Sequence, residues 1–171
     1  MGIPGLKTGT AASTEAAYGL TNSMIRDNGP CFLVVPVKLM KEIKGTIDVG
    51  ECLLLKSSNI HKASNRSVKE GKAVTVLTYL HGVKEALNSI KTIKEEGCDI
   101  DLVEIRSLKP LDMNTIRESL AHTNNLVILD ESTKSGGVGA TVSAAVSEEL
   151  FDLLDAPILR LSMEDVPVPY A

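Results

Sequence analysis

A chain of 171 residues with 43% hydrophobic and 23% charged residues can bury a sizeable core, and one domain plus extra segments is the natural expectation. The net charge of -4 forms no basic stripe, and aromatic residues make up only 3% with no Trp, so nucleic acid is not an expected partner. No apolar run reaches the length of a bilayer span, and the opening MGIPGLKTGTAAST lacks the apolar core of a secretory signal.

The first periodic stretch, AAYGLTNSMIRDN from Ala16 to Asn28, sets Ala17, Leu20 and Met24 on one helical face, and Asn28-Gly29-Pro30 stops it. A strand, CFLVVPV, follows; Pro36 cannot donate to a ladder, so this strand ends there or lies at an edge. One helix and one edge-like strand bury too little apolar surface to offset a backbone ordering cost of about 1–2 kcal/mol per residue. Residues 1 to 45 are therefore expected to need a partner, or the remainder of the domain they come from, to be ordered. From Lys38 to Lys72 periodicity is lost, which predicts a linker with local strand and a domain boundary near Val68 to Lys72.

Beyond that boundary the pattern is regular. AVTVLTY is a strand apolar on both faces, and it leads into a helix where Val83, Ala86, Leu87, Ile90 and Ile93 recur at helical spacing before Gly97 closes it. DIDLVEI is the second strand, Lys109-Pro110 breaks the chain, and Asp112 stands at an N-cap position ahead of Met113, Ile116 and Leu120. NLVIL is the third strand. The turn SGGVGA then opens a long helix through Leu154 whose apolar face uses Val138, Val142, Ala145, Val146 and Leu150, and APILRLS is the fourth strand. Strand and helix alternating in this way predict a parallel sheet with helices on both faces.

Ligands of such sheets sit beyond the carboxyl ends of the strands, so DESTKSGGVGA, residues 130 to 140, is where a phosphate could meet a helix N-terminus. Its spacing argues otherwise. GGVGA lacks the full G-x-G-x-x-G pattern, follows the third strand rather than the first, and sits beside Asp130 and Glu131, whose charges would repel a phosphate. The glycines are expected to let a helix pack close to the sheet. Asp130 and Glu131 are adjacent on a strand and point in different directions, so they read as a polar strand end rather than an acid and base pair. Ser132, Thr133 and Ser135 read as turn and cap residues. His61, His81 and His122 lie in a linker, a strand end and a helix end, with no acid or nucleophile at a spacing that assembles a site. They are expected as surface or capping residues, with His81 the best outsider at a strand's carboxyl end. Cys31, Cys52 and Cys98, odd in number and far apart, fit neither a disulfide framework nor a zinc site and are expected to be reduced and mostly buried.

Four ordered motifs, EIRSLKPLDMNTI, SGGVGA, LLDAPILRLS and EDVPVPYA, together with the leading IPGLK and the helix ending AAYGLTNSMIRDNGP, carry a resemblance over nearly the whole chain. It resembles the carboxyl-terminal half of the beta subunits of 2-oxo acid dehydrogenases, most of all the pyruvate dehydrogenases of the plastid and bacterial kind. The resemblance implies an α/β fold: a three-layer αβα transketolase carboxyl-terminal-like domain with a mostly parallel five-stranded sheet over residues 73–171. A linker over 41–72 and a remnant of a thiamine diphosphate pyrimidine-binding domain over 1–40 would precede it. It also implies a place in a heterotetramer within a multienzyme complex that oxidatively decarboxylates pyruvate to acetyl-CoA. The partners would be an alpha subunit, a second beta subunit and a dihydrolipoyl acyltransferase core, in the plastid stroma or, alternatively, the mitochondrial matrix or bacterial cytoplasm.

In that family the alpha subunit holds the diphosphate and magnesium of thiamine diphosphate, and the glutamate that touches its aminopyrimidine ring comes from a stretch with no match in this chain. The chain alone is therefore expected to bind no cofactor and to be inactive, and no catalytic, cofactor-binding or metal-binding residue is carried over. Val34-Val35-Pro36 stands where many plastid relatives read FEH, Lys134 stands where relatives often carry Arg, and relatives continue past VPVPYA into a segment that includes a helix. Two expectations follow: part of a catalytic beta subunit, or a truncated noncatalytic paralogue acting as a structural, protein-binding subunit of another complex. One partner-binding residue is carried over, Asp155 in LLDAPILRL. In the resembling subunits the aspartate of LDAP lies near the twofold axis and receives a basic residue from the subunit-binding domain of the acyltransferase core. An acid at a helix C-terminus is on the unfavourable side of the dipole, so a helix-stabilising role is not expected, and a turn aspartate ahead of Pro157 is the alternative.

Overall fold

The computed structural model describes residues 2–42 and 44–167, so the last four residues of the EDVPVPYA motif lie outside the described residues. Strand β1, Lys7–Thr10, leads into helix α1, Thr14–Ile25, where Ser13 accepts a hydrogen bond from the Ala16 N–H and so supplies the N-cap. The helix starts two residues before the expected Ala16, and its buried face is Ala16, Gly19 and Leu20. Strand β2, Cys31–Val34, stops just ahead of Pro36, and a short helix α2, Val37–Glu42, follows. The expected linker contains β3, Ser58–His61, and α3, Asn65–Lys69, capped by Ser64.

The regular part follows the periodicity. It consists of β4 Ala73–Thr78, α4 His81–Glu95, β5 Asp99–Glu104, β6 Ser107–Lys109, α5 Met113–Thr123, β7 Leu126–Thr133, α6 Val138–Glu149, a 3-10 turn Phe151–Leu153, and β8 Leu159–Met163. Asp112 caps α5 as expected, accepting from the Thr115 N–H at 3.3 Å. The helix expected to run through Leu154 ends earlier. Leu150 leaves helical geometry at φ -131°, and the 3-10 turn then tucks Leu153 and Leu154 back against the core.

The larger sheet has the order β3-β5-β4-β7-β8, with every neighbour parallel except β3, which runs antiparallel to β5. It is the mostly parallel five-stranded sheet of an αβα arrangement, and the linker's local strand supplies its fifth member. Alternation sends Leu77, Val103 and Ile128 to one face, where they pack with Ile116 and Leu120 of α5 and Val142 and Val146 of α6. Val74, Val76, Leu102 and Leu129 go to the other face, against Ala86, Ile90 and Ile93 of α4. Leu87, expected on the buried face of α4, is 46% exposed.

A second, small sheet has the order β2-β1-β6, with β1 parallel to β2 and antiparallel to β6. Because β6 comes from the carboxyl-terminal part, this sheet staples the first 34 residues to it. These contacts give the amino-terminal segment more to pack against than the one helix and one edge strand read from the sequence. Thr10 Oγ1 donates to the Ile105 carbonyl, and the Ala12 N–H donates to Glu104 Oε1 at 3.0 Å. Ala11, Ala16 and Leu20 form a small core closed by Leu33, Leu53 and Leu55, so part of the linker serves as its lid. No helix among the described residues is long and apolar enough to cross a membrane. All three thiols are free, but the expected burial is not found: Cys52 is exposed, and Cys31 and Cys98 are half-buried.

Candidate functional site

The carboxyl edge of the sheet gathers Tyr79 after β4, Ile105 and Arg106 after β5, and Asp130 to Thr133 at the end of β7. Leu80 takes φ 52°, a left-handed conformation rare outside glycine, and so turns the chain sharply from β4 into α4. The glycine-rich turn meets its anion here, and that anion belongs to the chain. Asp130 Oδ2 accepts from the Gly139 N–H at 2.7 Å in the first turn of α6, while Oδ1 accepts from the Ser132 N–H at 3.0 Å, Ser132 Oγ at 2.7 Å and Tyr79 Oη at 2.5 Å. Ser132 Oγ in turn accepts from the Val138 N–H at 3.2 Å.

Two glycines make this possible. A Cβ on Gly139 would lie 2.6 Å from Asp130 Oδ2, and one on Gly137 would lie 2.1 Å from Ser132 Oγ and 2.5 Å from the Thr133 carbonyl oxygen. The turn is therefore closed around a buried carboxylate, and its N–H groups at Val138 and Gly139 are spent. A diphosphate does not fit there. Burial alone would push the Asp130 carboxyl up, but the hydrogen bonds from Tyr79, Ser132 and Gly139 outweigh it and hold the group below the ordinary carboxyl range. Burial and the neighbouring Asp130 charge push the Tyr79 phenol well up, so it remains a neutral donor.

Glu131 mirrors this arrangement on the opposite face. Its Oε1 accepts from the Gly82 N–H at 2.8 Å, at the amino-terminal end of α4. Two consecutive acids on one strand thus reach opposite layers, and each occupies the positive end of a helix dipole. The expectation of divergent side chains holds, and the bland polar strand end acquires a defined task. Ser135 ties the loop to the segment just after β8, its N–H donating to Asp165 Oδ1 at 3.0 Å.

The histidines are less isolated than their spacing suggested. His122 Nδ1 lies 3.1 Å from Asp101 Oδ2, and His61 Nε2 lies 3.9 Å from Asp99 Oδ1, both carboxylates being buried on β5. Sequence reasoning missed these acids because they are 21 and 38 residues from their partners and sat in what read as a plain buried strand. Asp101 and Asp99 also receive the N–H groups of Ala63 and Ser64, at 2.6 and 3.0 Å, and so latch the β3–α3 loop onto the sheet. The best outsider, His81, starts α4 and lies 3.7 Å from Glu85 one turn along. Among the described residues no group of three His, Cys, Asp or Glu side chains is placed to hold a metal ion.

Asp155 lies at the opposite, amino-terminal edge of the sheet, between the 3-10 turn and β8. Its N–H donates to the Asn124 carbonyl at 2.8 Å, which fixes the backbone, while its exposed carboxylate makes no hydrogen bond or ion pair with any described residue. The alternative of a turn aspartate that satisfies nearby N–H groups finds no such bond.

Residues 64–171 match the family described as Transketolase, C-terminal domain. A protein of Gracilaria tenuistipitata var. liui named Pyruvate dehydrogenase E1 component subunit beta is 37% identical over 168 residues, which is 98% of this chain and 50% of that protein. A chloroplastic protein of Arabidopsis thaliana, Pyruvate dehydrogenase E1 component subunit beta-3, is 36% identical over 99% of this chain and 40% of its own length. A similarly named subunit of Rickettsia bellii is 36% identical over 99% of this chain and 50% of its own. Among solved structures, one described as a split gene transketolase, inactive beta4 tetramer, superposes with a TM-score of 0.74 at 20% identity, over 96% of this chain and 50% of that one. The chain thus spans about half the length of the curated relatives it matches.

Proposed function

The chain belongs to the transketolase C-terminal domain family, and from that premise we propose that it acts as part of a pyruvate dehydrogenase beta subunit, supplying subunit contacts in a thiamine diphosphate-dependent complex. The carrying observation is the 37% identity that runs through 98% of the chain to a protein named as that subunit. The edge where a parallel sheet usually receives ligands is filled by the chain's own carboxylates, which supports a contact role for this half of such a subunit. Thiamine diphosphate and magnesium would be held by other parts of the assembly, a reading supported by the glycine-rich start of α6, where the Val138 and Gly139 N–H groups are taken by Ser132 and Asp130.

The partners in this reading are an alpha subunit and a second beta-type chain in a heterotetramer, and a dihydrolipoyl acyltransferase core that docks at Asp155. An exposed carboxylate with no partner among the described residues, on a backbone held in place by Asn124, suits a charge-assisted contact with a basic residue of that core. The chloroplastic and bacterial relatives favour the plastid stroma or a bacterial cytoplasm. Mixing the chain with a pyruvate dehydrogenase alpha subunit and following the mass by sedimentation velocity tests the proposal. A stable mixed oligomer is the expected result, and two species that sediment independently at all concentrations would reject it.

A further inference from the structure

We propose that β8 is a self-pairing edge, through which two copies of this chain join their β8 strands antiparallel about a twofold axis at Leu161. The pairing needs no other subunit and does not rest on the function proposed above.

Strand β8, LRLSM, comes last in the order β3-β5-β4-β7-β8, so one side of its ladder has no neighbouring strand among the described residues. The pairing with β7 decides which backbone groups lie on that side. The Lys134 N–H donates to the Met163 carbonyl, so Met163 addresses β7. In a parallel ladder one residue turns its N–H and C=O to the same neighbour, and the next residue turns both the other way. Leu159 and Leu161 therefore share the β7 side with Met163, while Arg160 and Ser162 present their N–H and C=O groups at the open edge.

Two outward residues flanking one inward residue make this edge complementary to itself. With Leu161 on the axis, Arg160 stands opposite Ser162 of the second copy, and the two exchange both N–H···O bonds. The side chains favour the same register. Leu161 meets Leu161 of the second copy across a non-hydrogen-bonded pair, about 4.5 Å apart at Cα, and Leu159 meets Met163, so the exposed apolar side chains of both strands adjoin on one face. On the other face Arg160, whose guanidinium also donates to the Lys134 carbonyl, is opposite the neutral Ser162 and has Glu164 of the second copy on its diagonal. Moving the axis to Arg160 would set two guanidinium groups against each other, and moving it to Ser162 would set Leu159 against Asp165. A head-to-tail contact would leave an open edge and propagate, whereas the antiparallel pair closes with no β8 edge left.

Single-cysteine variants test the register. Leu161→Cys, Leu159→Cys and Met163→Cys are each made in a full chain carrying Cys31→Ser, Cys52→Ser and Cys98→Ser, and are oxidised with diamide over a range of protein concentrations. The three positions are similarly exposed, so chance collision would cross-link them alike. Leu161→Cys alone should form a disulfide dimer, since its Cα separation from its own copy lies within disulfide range. Leu159→Cys and Met163→Cys should each stay mostly monomeric alone and form a mixed dimer when combined. Sedimentation velocity of the unsubstituted chain gives a measure that depends on no variant, and it should show monomer passing to dimer and no further as concentration rises. Equal cross-linking at all three positions, a dimer from Leu159→Cys but none from Leu161→Cys, growth beyond the dimer, or a chain that stays monomeric throughout would overturn the proposal, the last by leaving β8 to a different partner.

Discussion

Gly139 holds a position in α6 where two opposing effects can be compared. Replacing a helical glycine by alanine ordinarily gains about 1 kcal/mol of helix propensity. Here the new Cβ would stand 2.6 Å from Asp130 Oδ2 and 3.0 Å from Asp130 Cβ, and moving that carboxylate breaks its bonds to Tyr79, Ser132 and Gly139 itself. Overpacking costs about 1–3 kcal/mol, and uncapping the helix adds about 1 kcal/mol. Gly139→Ala is therefore expected to lower the urea unfolding free energy by roughly 2 kcal/mol, while Gly29→Ala, whose Cβ would meet nothing nearer than 3.4 Å, should be close to neutral. Acid acts on the same class of group. Burial opposes ionisation of Asp99, but the Ser64 N–H and the Lys94 ammonium bring its pKa down to about 2. A depressed carboxyl contributes stability that is fully present above the ordinary carboxyl range and is lost as pH falls from about 4 toward 2. Unfolding free energies from urea titrations across that window should fall by an amount on the order of 2 kcal/mol less in Asp99→Asn than in the parent chain; parallel curves would remove Asp99 from the acid response. At Asp155 the measure is binding. Asp155→Asn should cost about 1–3 kcal/mol of affinity for the acyltransferase subunit-binding domain with melting unchanged, and equal calorimetric affinities would leave it a solvent-facing turn residue.

The small sheet shows which elements a sequence conceals. The strands β4, β5, β7 and β8 and the helices α4 to α6 were legible because each is long enough to display a period and buries a continuous apolar face. β1 reads KTGT and β6 reads SLK; neither has room for alternation, and they become strands only by pairing across about a hundred residues of chain. The closure of the glycine-rich turn was half legible, since Asp130 and Glu131 were seen to diverge while their helix partners, Gly139 and Gly82, depend on the fold. The contacts of His122 and His61 with β5 were hidden for the same reason. At the junction of the two sheets, Glu104 accepts from the Ala12 N–H and from Arg106 Nε at 2.6 Å, and both side chains are largely withdrawn from water. Removing one partner of a buried ion pair strands the other, at about 3–5 kcal/mol. Glu104→Ala is accordingly expected to destabilise the chain by about 3 kcal/mol, with amide exchange in β1 accelerating before that in β4 and β7. Uniform acceleration throughout would show that Glu104 supports the large sheet and not the junction.

Across the whole molecule the two faces of the large sheet are unequally covered. One face carries α5, α6 and the 3-10 turn; the other carries α4, which packs over β4, β5 and β7 and leaves β8 bare. The register pairs Leu159 with Val127 and Leu161 with Leu129, so Leu159, Leu161 and Met163 all emerge on the α4 side, where they are 53%, 49% and 40% exposed. Parallel sheets are ordinarily covered on both faces, and an apolar edge strand with an open ladder is prone to pair with another chain. β8 has both properties, with only Arg160 as a charge in its length, and that side chain is turned to the other face, where it donates to the Lys134 carbonyl. An assembled subunit would cover this surface, whereas the isolated chain exposes it. Leu161→Lys puts a charge at the middle of the bare stripe without touching the core, so its unfolding free energy should stay within about 0.5 kcal/mol of the parent. Sedimentation should show the parent chain associating as its concentration rises and the variant remaining smaller under the same conditions. Identical profiles at every concentration would mean that the exposed β8 face takes no part in association, and the contacts would then have to be sought on the amino-terminal segment, where Phe32, Val37 and Ile25 are also exposed.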